Sequence, residues 1–152
     1  MPLDFFGKNF LPDELPLAME ETVKELKKSQ DKEEYLKKVY DLLSEKYHGE
    51  RIKTYLKLFE IFKNDLEFLW NRSGFLHCTN INYLAKILLI KSGFFLEEDI
   101  ELKWTLVWFI SPHQYLRVKV SENDFVNVDI WAKNCGIKFG DYARGFNNFL
   151  SK

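Results

Sequence analysis

Three side chains in this sequence have the types and the order that thiol chemistry requires: Cys78, His113 and Asp129. In such chemistry a thiolate attacks a carbonyl carbon while an imidazole takes up and returns the proton. A carboxylate holds the imidazole in one tautomer and stabilises its protonated form. Cys78 stands at or just before the first turn of a helical run marked by Ile81, Leu84-Ala85 and Leu88-Leu89. Unpaired backbone N–H groups and the positive end of the helix dipole favour a thiolate at that place. Each residue alone also has an ordinary reading. A free Cys is as readily a small buried hydrophobe, His113 a hydrogen-bonded or surface histidine, and Asp129 a strand-end carboxylate.

Whether His113 and Asp129 meet depends on strand register. Leu116, Val118 and Val120 alternate with polar residues, as do Val126, Val128 and Ile130 after Ser121-Glu122-Asn123-Asp124, so two half-buried strands are expected. If both apolar sets share a face, a slip of one residue is forbidden because it would turn one set over. A three-residue loop, Ser121 to Asn123, then pairs Val120 with Asp124 and His113 with Trp131. Asp129 becomes a diagonal neighbour of His113 at roughly 7–8 Å, within side-chain reach. A five-residue loop would part them. Trp131 is expected either to wall a substrate cleft or to pack in the core.

The remaining elements divide the chain by texture. Residues 13–70 read as charged helices almost free of Gly, with Leu17, Val23 and Leu26 on the first and Tyr35-Leu36, Val39-Tyr40 and Leu42-Leu43 on the second. A third carries Ile52, Tyr55-Leu56, Phe59 and Ile61-Phe62, and Asp65 is placed to cap a short helix leading to Trp70. Gly93 is placed to end the Cys78 helix in a left-handed cap. Leu102 to Ile110 reads as a nearly continuous apolar, central strand, and Ile137 to Leu150 as a possible last strand and turn. The expected architecture is α+β: one domain over residues 1–152, helical through residue 70, with a nucleophile helix on an antiparallel sheet over 71–150.

The motifs around these residues resemble those of the transglutaminase-like, papain-related superfamily. His113-Gln-Tyr-Leu-Arg-Val-Lys-Val followed by Phe125-Val-Asn-Val-Asp129 is similar to that family's His, aromatic, alternating strand and aromatic-Val-x-Val-Asp, with a common His-to-Asp spacing of 16. Gly74-Phe-Leu-His-Cys78 resembles its Gly-x-Cys opening of the nucleophile helix, and Leu88-Leu89 with Gly93 match the offsets at which that helix ends. The likeness covers about residues 70–131. The chain departs from the pattern at Asn82, where Ala is frequent, at Phe94-Phe95-Leu96-Glu97 in place of Ile-Pro-x-Arg, and at Ile130 in place of Pro. The resemblance implies a Cys-His-Asp triad acting by acyl transfer or hydrolysis on an amide of a protein or peptide substrate, without a cofactor. The alternative is a non-catalytic binding or scaffold module on the same fold. The Cys78 N–H would form part of an oxyanion hole, with Trp70 and Asn71 as candidates for the second donor.

Composition narrows the partners. Hydrophobic residues at 46% and charged ones at 30% are those of a folded domain and not of a disordered chain. A net charge of −1 argues against nucleic-acid or anionic-membrane binding by bulk electrostatics. Two cysteines, Cys78 and Cys135, supply neither a disulfide scaffold nor a Cys-based zinc site. With no export signal at Met1-Pro2-Leu3-Asp4 and no apolar run long enough to span a bilayer, a reducing cytoplasm is the expected compartment.

Overall fold

A computed structural model describes residues 10–108 and 110–145. The first two helices, α1 (Leu17–Leu26) and α2 (Lys32–Lys46), follow the apolar periodicity. Asp31 caps α2 by accepting the Glu34 N–H at 2.8 Å, with Glu33 and Glu34 in the first turn and Lys46 in the last, as the helix dipole favours. Tyr35, Leu36, Val39, Tyr40 and Leu43 form its buried face, and the Tyr35 hydroxyl donates to the Leu88 carbonyl at 2.8 Å. This α2 face therefore lies against α5 (Cys78–Lys91), a helix buried on all sides from Thr79 to Leu89. Gly93 follows α5 at φ +80°, a left-handed conformation in which a Cβ would be strained.

Between α2 and α5 the chain departs from the expected single helix. It forms α3 (Arg51–Leu56), then a 3-10 helix (Leu58–Phe62), and no side chain of either is buried. The segment is fastened by polar groups instead. His77 Nε2 lies 2.8 Å from the Lys57 carbonyl, Asn80 Nδ2 donates to the Glu60 carbonyl, and Arg72 pairs with the Glu60 carboxylate at 2.8 Å. These anchors turn the backbone inward and leave the apolar side chains outside. Helix α4 (Leu66–Asn71) follows, capped as expected by Asp65, which accepts the Phe68 N–H at 3.0 Å.

The main sheet has three antiparallel strands in the order β3 (Ile100–Val107), β4 (Ser111–Lys119) and β5 (Phe125–Val128). The apolar strand expected to be central is thus an edge, and β4 is central. The tail supplies no further strand among the described residues, only bridges of Gly140 to Asn127 and of Gly145 to Val107. With little to cover its outer side, most of β3 stays half-exposed despite its composition. The expected tail segment beyond Gly145 lies outside the described residues. Leu116 pairs with Val128 and Val118 with Val126, the register that the shared apolar face demands. A two-residue parallel pair not anticipated from the pattern, β1 (Tyr47–His48) with β2 (Gly74–Phe75), ties the end of α2 to the approach to Cys78. The class is α+β. No described helix is long and apolar enough to cross a membrane.

Candidate functional site

Cys78 is the first residue of α5, with buried His77 as its N-cap. Its amide belongs to the first turn, where N–H groups have no acceptor within the helix. Cys78 is partly exposed and lines a cleft with Arg51, Tyr55, Trp108, His113 and Trp131. Neither Trp70 nor Asn71 lines this cleft; Trp70 is buried and Asn71 is exposed.

His113 enters from the start of β4 and Asp129 from the residue after β5. His113 Nε2 lies 2.8 Å from Asp129 Oδ2, with the two side chains only 2% and 1% exposed. Asp129 is itself held by backbone donors. Its Oδ1 accepts the Ala132 N–H at 3.2 Å, and its Oδ2 accepts the Ala143 N–H at 2.9 Å. Burial by itself would lower the His113 pKa. The charge and hydrogen bond of Asp129, joined by a hydrogen bond and charge interaction with Cys78, outweigh it and raise the value to about 10. Since Nε2 faces Asp129, Nδ1 is the ring nitrogen left to face the sulfur.

Trp131 stands on the far side of the imidazole, ring centroids 5.0 Å apart. The strand stops at Val128, so Trp131 does not pair with His113 but opens a 3-10 helix (Trp131–Cys135) that keeps the ring beside it. Behind Trp131 lies Gly49, whose N–H donates to the Trp131 carbonyl at 3.1 Å. A Cβ on Gly49 would fall 2.2 Å from the indole carbons. Gly49→Ala should therefore push the ring toward His113 or break the Gly49–Trp131 bond. A loss of about 1–3 kcal/mol is expected from overpacking, read as a lowered denaturant midpoint with an altered indole emission.

Trp108, which also lines the cleft, has φ +52°, uncommon for a bulky residue. Its N–H donates to the Gly145 carbonyl at 3.1 Å, and the Arg51 guanidinium lies 3.1 Å from its ring centroid. The Tyr55 hydroxyl lies 3.2 Å from Ser111 Oγ, closing α3 against the start of β4.

Two of the three departures, Asn82 and the Phe94–Glu97 stretch, have structural work. Buried Asn82 donates from Nδ2 to the Gln114 carbonyl at 2.9 Å, tying α5 to β4 one residue past His113. Glu97 pairs with Lys86 at 2.9 Å, and Phe95 packs beside Tyr35. A polar residue on a helix otherwise buried was the available signal for Asn82. Nothing in the pattern pointed to Ala143, which contributes only its backbone. Cys135 ends the Trp131 helix and is absent from the cleft lining. Among the described residues no group of His, Cys, Asp and Glu is arranged to hold a metal ion. No family model, curated protein or solved structure matches this chain.

Proposed function

We propose that this protein is a thiol-dependent acyl-transfer or amide-hydrolysing enzyme with Cys78 as nucleophile, His113 as base and acid, and Asp129 as the group that orients and charges His113. The fold would then be of the transglutaminase-like, papain-related kind, and the substrate a protein or peptide amide. The observation that carries this reading is the buried 2.8 Å His113–Asp129 pair sharing a cleft with a cysteine at a helix start. A solvent-excluded imidazole–carboxylate pair is costly to maintain, because removing either partner strands a buried polar or charged group. Its elevated pKa keeps the ring protonated at neutral pH, and an imidazolium beside a sulfur favours the nucleophilic thiolate.

In the reaction, the Cys78 sulfur adds to the amide carbonyl carbon and the oxyanion points toward the Cys78 N–H. His113 gives its proton to the departing amine or ammonia, leaving a thioester. Water or a second amine, deprotonated by His113, attacks that thioester, and Cys78 leaves as thiolate. The test is selective alkylation. With iodoacetamide near neutral pH, Cys78 should be carboxamidomethylated about tenfold or more faster than Cys135, scored by peptide mass spectrometry. Equal rates would favour a binding or scaffold module that keeps the fold without the chemistry.

A further inference from the structure

We infer that the outward face of residues 51–62 is a docking surface for an apolar stretch of the polypeptide substrate, whose reacting carbonyl enters the adjacent cleft. The inference rests on the thiol reading above. Ile52 is 71% exposed, Leu56 77% and Phe59 85%, with Leu58 and Phe62 more than half exposed beside them. Scattered exposed apolar residues are ordinary, but so many in one short segment mark an interaction site. Ile52, Leu56 and Phe59 stay largely outside the fold, and the segment is fastened through the Lys57 and Glu60 carbonyls and the Glu60 carboxylate. The anchors are carbonyls and one carboxylate, while the large apolar side chains face out, unlike the apolar face of an ordinary surface helix.

Continuity with the cleft identifies the occupant. On α3, Arg51, Thr54 and Tyr55 line the cleft, while Ile52 and Leu56, one turn apart, lie exposed beside them. Leu106 and Ile110, also more than half exposed, flank the cleft residues Val107, Trp108 and Ser111 in sequence. A chain bound across these residues passes the Cys78 sulfur, whereas a second copy seated there would cover the cleft mouth. Of the cations on this face, Lys53 is paired with Glu50, Lys57 and Arg72 with Glu60, and Arg51 and Lys63 lie over the Trp108 and Phe68 rings, so few are presented to anionic headgroups. The recognition is therefore apolar.

Two peptidyl chloromethyl ketones test this, acetyl-Phe-Leu-Phe-Leu-Gly and acetyl-Ser-Gly-Ser-Gly-Gly. Each alkylates a thiolate by forming an S–C bond and releasing chloride. On the wild type the apolar reagent should modify Cys78 roughly tenfold faster than the polar one, as filling apolar subsites allows. In Leu56→Ser/Phe59→Ser that preference should fall below about twofold, while the rate with iodoacetamide and the melting temperature stay near wild type, since both side chains are exposed. An unchanged preference in the variant overturns the proposal. So does a wild-type dimer in sedimentation equilibrium, or flotation with phosphatidylserine vesicles, that the double variant abolishes. If iodoacetamide itself fails to distinguish Cys78 from Cys135, the thiol reading falls and the docking proposal with it.

Discussion

Cys78→Ala should yield a folded protein without acyl-transfer activity. The expected loss in turnover is at least about 10⁴-fold, because no neighbouring side chain replaces a thiolate and triad members act as a unit. Cys78 is partly exposed at the first position of α5, where Ala is a good helix former, so the stability change should stay within about 1 kcal/mol. The measurement pairs a glutaminyl- or peptidyl-amide turnover assay with urea denaturation of the same preparations. A variant that unfolds, or one that keeps its turnover, would return Cys78 to the role of packing residue.

Asp129→Asn should be severe in a second way, affecting turnover and folding together. The carboxylate has three donors to satisfy: His113 Nε2–H, the Ala143 N–H and the Ala132 N–H. An Asn has one acceptor oxygen, so in either flip its NH₂ faces at least one of those donors. Loss of the buried charge also removes the main support of the His113 imidazolium and admits the wrong tautomer. Turnover should fall about 10³- to 10⁴-fold, and stability by about 2–4 kcal/mol from stranded buried groups.

The pH dependence of that stability gap follows from the direction of the shift. The folded His113 pKa stands near 10 against about 6.5 for a free imidazole. The folded form therefore holds a proton that the unfolded chain releases above about pH 6.5. The stabilisation is fully present below that pH and is lost as pH climbs through about 10. Urea midpoints of wild type and Asp129→Asn should accordingly lie far apart at pH 6 and converge toward pH 10. A gap that widens with pH would mean that His113 is neutral in the folded protein.

The site was legible where its placement depends on a two-residue period. Alternation in Leu116/Val118 and Val126/Val128 forbids a one-residue slip, and with the three-residue loop the observed register carries His113 and Asp129 together. Helices α1, α2, α4 and α5 were likewise written in apolar spacing and in the caps Asp65 and Gly93. Residues 51–62 misled because apolar periodicity predicts burial, and it cannot reveal that the carbonyls and not the side chains hold the segment. Strand β3 misled similarly, since hydrophobicity does not tell a central strand from an edge. The Ala143 N–H and the close approach of Gly49 to Trp131 carry no side-chain signature at all.

The Ala143 N–H bond to Asp129 has a consequence for how the protein is made. As the chain leaves the ribosome, Cys78 emerges first, His113 and Asp129 follow, and the amide that completes the carboxylate's coordination comes later still. The bridges at Gly140 and Gly145 carry that last stretch from the β5 edge to the β3 edge, with Tyr142 stacked 4.1 Å over Tyr115 of the central strand. Contacts so distant in sequence form late, after loop closure has been compensated by other packing. Nascent and partly assembled chains would thus expose a thiol that lacks its charged partner. On the proposed function, arming of the Cys78 thiol would be coupled to docking of the 140–145 stretch across the sheet, so that reactivity arises only once the cleft is assembled.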